Sequence, residues 1–168
     1  MKLITEQITE AKVVITEGKG GKKNHFIEGV FLQGGIKNRN GRMYPVGHLE
    51  REVTKYDSTY IKSGRALGEL GHPEGPTINL DRVSHLTTSL QREGDNFVGK
   101  ARILDTPMGK IAKSLLDEGV KLGVSSRGLG SLKDCLLYTT TDPAHRTSEK
   151  HGGRLNIKKK KGGGGGGG

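Results

Sequence analysis

Apolar residues in the first part of the chain recur either at every second position or in short runs, and glycine-rich polar segments separate them. Residues 13–16, 26–33 and 83–90 are rich in β-branched or aromatic side chains and predict strands. Residues 97–104 place an apolar residue or glycine at every second position, which predicts a half-exposed strand. Residues 120–132 predict a further strand that glycines interrupt.

A different spacing, of three to four residues, predicts two helices. Pro45 can open the first helix, because its fixed φ suits the first helical turn. The apolar stripe of that helix consists of Leu49, Val53 and Tyr56. The second helix is predicted to begin after Thr106, a capping residue, and to stop at Gly119. Its predicted apolar face consists of Met108, Ile111, Ala112, Leu115 and Leu116.

These elements predict an α+β domain, with about five strands in a curved, mostly antiparallel sheet and two helices. Residues 66–80 hold two of the five prolines and are predicted to be irregular. The domain is assigned to residues 1–133, with residues 1–25 supported by fewer signals.

Composition restricts the class of protein. Hydrophobic residues make up 31% of the 168 residues and the formal net charge is +10. No apolar run approaches the roughly 18 residues of a membrane-spanning helix, and the N-terminus lacks the apolar core of a secretory signal. A single cysteine, Cys135, allows neither an intramolecular disulfide nor a thiolate metal cluster. We therefore expect an intracellular, reducing setting.

The chain changes character at residue 134. Four lysines and seven glycines end it, as AAA codons followed by GGG codons would encode. Residues 135–139 read CLLYT, and the codons TGT CTC TTA TAC ACA for this segment resemble a transposon end used in sequencing libraries. We expect residues 134–168 to be adapter read-through and to be disordered, since they bury too little apolar surface to offset ordering entropy. The alternative is a natural, flexible basic tail.

Two glycine-rich segments hold residues that are capable of acyl transfer. Residues 68–73 (GELGHP) include His72, and residues 123–128 (GVSSRG) include Ser125 and Ser126. A serine hydroxyl becomes an effective nucleophile when a base such as imidazole removes its proton, and flanking glycines let a substrate approach the backbone closely. Such pairs also arise by chance in a chain with six histidines, and GVSSRG is not the GxSxG nucleophile elbow.

Three segments, taken in order, resemble one known family. They are NRNGRMYP at residues 38–45, ALGELGHP at 66–73 and GVSSRGLGSL at 123–132. The chain resembles, from about residue 26 to 133, the prohead core proteases of T-even-type tailed phages, which are related to the herpesvirus assemblins. The resemblance implies a serine protease on a small β-barrel-like sheet with surrounding helices, here without its C-terminal part.

The same resemblance implies roles for individual residues. The base falls on His72 and the nucleophile on Ser125, while Ser126 matches a second serine that we interpret as structural. The family places a further catalytic residue after the serine strand, where the anomalous tail stands, so no residue is assigned that role. Arg127 also matches the family, and its cation either supports an oxyanion or pairs with a carboxylate.

Partners and location follow from the resemblance as well. It implies cleavage of scaffold or core proteins and of the major capsid protein, inside the phage prohead in the host cytoplasm. Self-association and self-cleavage are left open. We expect no cofactor, metal ion or membrane partner, and little activity from the chain as written because its C-terminal part is missing.

Two other functions compete with the protease interpretation. The first is an inactive capsid or scaffold component on the same fold, which the missing C-terminal part makes relevant. The second is nucleic-acid binding, because a basic face binds phosphates through counterion release. Aromatic residues are only 4% and no nucleic-acid-binding motif is present, so this function ranks third.

The other polar residues of the domain are assigned structural roles. Asn38, Arg39 and Arg42 are interpreted as a turn that fixes the start of the first helix, with substrate contact as the less favoured alternative. His25 is expected to be exposed, and His85 is expected to pack within a strand rather than to act as a second catalytic histidine. Glu69 is near His72 in the sequence and could orient it.

Overall fold

The computed structural model describes residues 2–8, 11–71, 74–75, 77–130 and 154–159. These residues form eight strands and two α-helices. In chain order the elements are β1 (Lys2–Ile8), β2 (Lys12–Glu17), β3 (Lys23–Gln33), α1 (Val46–Tyr56), β4 (Leu67–Glu69), β5 (Val83–Glu93), β6 (Asn96–Ile103), α2 (Pro107–Asp117), β7 (Leu122–Gly130) and β8 (Arg154–Lys159). Short 3-10 turns at Lys19–Gly21 and Leu80–Arg82 precede β3 and β5, and a π-helical turn at Asp57–Ile61 continues α1.

The strands form two antiparallel sheets. The larger has five strands in the order β2-β3-β6-β5-β4, and the smaller has three in the order β1-β7-β8. Every strand pairing in both sheets is antiparallel. The α+β class with an antiparallel sheet is therefore confirmed. The described strands do not close into a barrel, because each sheet ends in two strands that are hydrogen-bonded on one side only.

The β5–β6 hairpin occupies the centre of the larger sheet. Gly94, with φ +62°, lies in the turn, and the buried face of β6 is the predicted one. That face consists of Phe97, Gly99, Ala101 and Ile103. An added Cβ at Gly99 would lie only 2.1 Å from the Phe31 ring, so the glycine lets β3 place this ring directly over β6.

Both helices form where their apolar spacing predicts them. Helix α1 starts directly after Pro45 and buries its stripe of Leu49, Val53 and Tyr56. Helix α2 has Thr106 as its N-cap, whose Oγ1 accepts a hydrogen bond from the Gly109 N–H at 3.0 Å. Gly119, with φ +78°, follows the end of α2, as the left-handed stop requires.

One position of the predicted α2 face is wrong. Ile111 is 46% exposed, and the buried residues of the helix are Gly109, Ala112 and Leu116. An added Cβ at Gly109 would lie 1.9 Å from the Leu104 carbonyl oxygen. The helix therefore approaches the strands through its smallest residue, and this close approach turns Ile111 towards solvent.

Three strands lie where no strand was expected, namely β1, β8 and β4, the last within the segment that was predicted to be irregular. β1 pairs along its whole length with β7, from Lys2 opposite Gly130 to Ile8 opposite Val124. β8 pairs with the other edge of β7 and corrects the expectation of disorder for residues 154–159. The physical reason is that the edge of β7 presents unpaired N–H and C=O groups that an extended segment can satisfy. The rest of the anomalous tail lies outside the described residues, so its disorder and its origin stay predictions.

Candidate active site

Ser125 lies on β7, the middle strand of the smaller sheet. Its register partners are Gln7 on β1 and Asn156 on β8. Because successive side chains of a strand point to opposite faces, Ser125 and Arg127 share one face, whereas Val124 and Ser126 share the other. Val124 belongs to the hydrophobic core. The face of β7 that carries Ser125 is thus the one that points away from that core residue.

The Ser125 hydroxyl is buried without a partner. The residue is 1% exposed, and its Oγ has no hydrogen-bond partner within the described part of the chain. Leaving a buried hydroxyl unsatisfied costs about 1–3 kcal/mol, so such a group in a native fold calls for an explanation. A nucleophile that is reserved for a reaction partner supplies one.

Arg127, two residues further along the same face, donates hydrogen bonds to Glu69 and to the segment that follows it. Its Nη2 donates a hydrogen bond to Glu69 Oε2 at 2.7 Å, and its Nη1 donates to the Gly75 carbonyl oxygen at 3.0 Å. The Arg127 and Glu69 side chains are 3% and 0% exposed. Of the two interactions considered for Arg127, the structure shows the ion pair with a carboxylate.

Glu69 joins the two ends of the same loop. Its Oε1 accepts hydrogen bonds from the Asn79 backbone N–H at 2.6 Å and from Asn79 Nδ2 at 3.1 Å. Nearby, the Leu70 N–H donates to the Arg82 carbonyl oxygen at 3.1 Å. We call residues 70–78 the Glu69 loop, since the Glu69 carboxylate connects its start to its end.

His72, the predicted base, belongs to the Glu69 loop by sequence but lies outside the described residues. The prediction that it faces Ser125 therefore stays a prediction, as does the idea that Glu69 orients it. The described part of the loop contains Gly71 and Gly75, both with φ +90°. Such angles favour glycine and allow sharp turns on either side of the predicted base.

Of the other histidines, His85 confirms a prediction and His25 contradicts one. His85 is 1% exposed, and its Nδ1 lies 2.9 Å from Ser84 Oγ, as expected of a packed strand residue. His25 was expected to be exposed, yet it is 5% exposed and its Nε2 lies 2.9 Å from Asp117 Oδ1. The reason is tertiary: Asp117 ends α2, 92 residues later in the sequence, and reaches across to β3.

The turn at residues 38–42 is confirmed. The side-chain Oδ1 of Asn38 accepts hydrogen bonds from the N–H groups of Asn40 and Arg42, both at 3.0 Å. The Asn38 N–H also donates to the Arg42 carbonyl oxygen at 2.8 Å. This side-chain-capped turn leads the chain directly into Pro45 and α1.

Charged side chains of the described residues form small ion pairs. Lys113 and Lys22 both contact Asp105, and their hydrogen bonds hold the pKa of its carboxyl well below the usual range. Across the ranges that the structure describes, no group of three or more His, Cys, Asp or Glu side chains could hold a metal ion. Over the same ranges, no helix has the length and apolarity needed to cross a membrane.

Comparison with known proteins decides the family. A sequence profile described as Prohead core protein serine protease matches residues 3–144. The chain belongs to this family. The match continues past Lys133. Residues 134–144, which we assigned to the tail, therefore lie within the region that matches the family.

Two relatives from phage T4 agree with this membership. The prohead core protein protease of Enterobacteria phage T4 is 36% identical over 118 residues, which cover 68% of this chain and 55% of the relative. The chain thus spans about half the length of that curated relative. The solved structure of the bacteriophage T4 capsid assembly protease superposes with a TM-score of 0.76 at 29% identity, covering 94% of this chain and 96% of that one.

The Glu69–Arg127 link was not predicted as a unit. The two residues are 58 positions apart, and each was considered separately. One signal was available in the sequence: Arg127 follows Ser125 by two positions on a strand, which puts both side chains on one face. Nothing in the local pattern showed that Glu69 would meet that face.

Proposed function

We propose that this prohead protease family member is a serine endopeptidase of phage capsid assembly, with Ser125 as its nucleophile and His72 as its base. The observation that carries the proposal is the buried, unpartnered Ser125 hydroxyl on the face of β7 that Arg127 ties to the Glu69 loop. This tie supports the proposal because the loop that contains His72 in sequence is attached to β7 two residues from Ser125.

The chemistry follows from these two groups. The His72 imidazole, in its neutral form, takes the proton of Ser125 Oγ as that oxygen attacks the peptide carbonyl carbon. The protonated imidazole then donates this proton to the leaving amine, and the C–N bond breaks to give an acyl-enzyme. Water, deprotonated by the same imidazole, hydrolyses the ester and restores Ser125.

Access to Ser125 requires a local opening. At 1% exposure, its hydroxyl is covered in the described arrangement, so a substrate carbonyl can reach it only after the covering residues move. Arg127 is less suited to the oxyanion role that we considered for it, because two of its nitrogens already donate to Glu69 and Gly75. We favour a supporting role for Arg127.

The substrates that we propose are core or scaffold proteins and the major capsid protein of the same phage, cleaved inside the prohead. This proposal rests on family membership and on the T4 relatives, which are described as a prohead core protein protease and as a capsid assembly protease. Family membership does not favour the nucleic-acid-binding alternative.

The test is covalent labelling with a fluorophosphonate, followed by peptide mapping, on four proteins: the parent chain and its Ser125→Ala, His72→Ala and Ser126→Ala variants. We expect the label on Ser125 in the parent and in Ser126→Ala. We expect none in Ser125→Ala and a loss of about 1,000-fold or more in His72→Ala, since nucleophile and base act as a unit.

Two results would contradict the proposal. A label on Ser126 would move the nucleophile by one residue. No labelling of the folded domain that carries the C-terminal sequence reread from its source DNA would favour the inactive capsid or scaffold component. The same assay on the domain with the C-terminal sequence reread from its source DNA tests our expectation that the chain as written has reduced activity.

A further inference from the structure

We infer that the Glu69–Arg127 pair is a positioning device, which holds the Glu69 loop in register with the face of β7 that carries Ser125. The inference rests on the proposed function and adds two residues to it. Neither residue is proposed to touch the substrate. Each acts by fixing where the loop lies relative to the nucleophile.

The geometry distinguishes this pair from the other ion pairs of the described surface. Arg92 Nη1 and Glu50 Oε2 form a pair of similar length, 2.9 Å, but the side chains of Glu50 and Arg92 are 53% and 42% exposed. Glu69 and Arg127 are buried almost completely, and both use further atoms to bind backbone groups. Arg92 also donates from its Nε to a backbone carbonyl, that of Gly94 two residues away. What distinguishes the Glu69–Arg127 pair is therefore its burial and the contact that Arg127 makes with Gly75, which is distant in the sequence.

Each end of the pair anchors a different point of the loop. Glu69 Oε1 binds the Asn79 N–H, which closes the base of the loop. Arg127 Nη1 binds the carbonyl oxygen of Gly75, which lies midway between the loop ends. The pair therefore fixes two described points relative to β7, Asn79 at the end of the loop and Gly75 near its middle.

A buried ion pair is weak evidence for stability, because the cost of desolvating two charges offsets most of their attraction. What such a pair can supply is a unique arrangement, since both partners must meet with defined geometry. The guanidinium suits this role because it donates through two nitrogens in a rigid plane, one to Glu69 and one to Gly75. A lysine retains the charge but has one nitrogen.

Arg127→Lys is therefore the informative variant. It keeps the charge opposite Glu69 and loses the fork that also reaches Gly75. Glu69→Gln is the complementary variant, since its amide retains one acceptor oxygen but loses the charge. The matched controls are Arg92→Lys and Glu50→Gln, which make the same changes in the exposed pair.

The experiment measures the saturating rate constant for fluorophosphonate labelling of Ser125, the half-saturating concentration of the probe and the melting temperature. Hydrogen exchange of the peptide covering residues 70–79 is followed by mass spectrometry. Arg127→Lys should lower the saturating rate by about 10- to 100-fold, since a displacement of about 1 Å costs rate on this scale. The half-saturating concentration should stay within about twofold, exchange of the 70–79 peptide should accelerate, and both controls should behave like the parent.

Several outcomes would overturn the inference. One is an Arg127→Lys variant whose labelling rate and loop hydrogen exchange both equal those of the parent. Another is a variant that is labelled faster than the parent. The third is a loss of labelling rate that is fully accounted for by a lower melting temperature. If Arg127→Lys does not fold, Glu69→Gln is judged by the same criteria. If neither the folded parent nor the domain with the reread C-terminal sequence is labelled, the proposed function fails, whereas accelerated loop exchange in both variants would still support the attachment itself.

Discussion

Strand β6 buries one apolar face, whereas β7 buries core residues such as Val124 on one face and polar residues on the other. β6 buries Phe97, Gly99, Ala101 and Ile103, so its burial is stabilised by removing apolar surface from water, at about 25 cal/mol per Å². β7 buries Ser125 and Arg127 on one face, and buried polar atoms destabilise the fold unless they find partners.

The difference teaches where stability and chemistry are located in this molecule. Arg127 has its partners in Glu69 and Gly75, whereas the Ser125 hydroxyl has none in the described residues. The packing of β6 is explained by stability alone. The polar face of β7 fits the function that we propose, which requires a buried hydroxyl without a competing partner close to an attached loop.

The largest expected effect on stability lies in β6. Phe97→Ala should lower the free energy of unfolding by about 3–5 kcal/mol, because the ring is completely buried and its removal leaves a cavity. Urea unfolding followed by circular dichroism measures it. Val98→Ala, on the half-buried face of the same strand, should cost clearly less. Equal losses at the two positions would show that the alternation of β6 does not determine its contribution.

Gly99→Ala should lower the free energy of unfolding by about 1–3 kcal/mol, because the new methyl group would lie 2.1 Å from the Phe31 ring and overpack the core. The test is a double-mutant cycle with Phe31→Leu, measured by the same unfolding assay. The two substitutions should be less than additive, because the smaller side chain makes room for the methyl group. Strict additivity would mean that the ring is not what excludes a side chain at Gly99.

Ser125→Ala should change the free energy of unfolding by less than about 1 kcal/mol, and in the stabilising direction if at all, because it removes an unpartnered buried hydroxyl. The matched control is Ser84→Ala, in which a buried serine loses its contact with His85 Nδ1. That variant should be destabilised by about 1–2 kcal/mol. A larger loss in Ser125→Ala than in Ser84→Ala would indicate that Ser125 has a structural role.

The smallest effect concerns the exposed carboxylate beyond the end of β6. Lys113 and Lys22 lower the pKa of Asp105 in the folded state. Its contribution to stability is therefore present above the unfolded pKa of about 3.9 and is lost as pH falls from there towards the lower folded pKa. Asp105→Asn should flatten the fall of the free energy of unfolding between pH 5 and pH 2, measured by urea unfolding at each pH. An unchanged pH profile in Asp105→Asn would show that solvent screens both lysines.

Local patterns in the sequence were enough to determine most elements of the domain. The alternation from Phe97, the stripe of α1 and the Thr106 cap all correspond to observed features, because each depends on neighbours within a few residues. The serine segment was also recognisable, since strand alternation puts Ser125 and Ser126 on opposite faces wherever the strand lies. The three motifs led to the correct family, because each is a short contiguous segment that can be recognised without knowledge of the fold.

Contacts between distant segments were decided only by the tertiary structure. His25 is buried because Asp117 reaches it across 92 residues, and the Glu69 carboxylate meets Arg127 across 58. β1 and β8 are strands because both edges of β7 offer hydrogen-bonding groups, a property of the neighbour rather than of their own residues. Ile111 is exposed although its spacing is helical, because Gly109 permits a closer approach than the apolar face predicts. In each case the deciding contact joins segments that are distant in the sequence, and the position of such a partner is set by the folded chain as a whole.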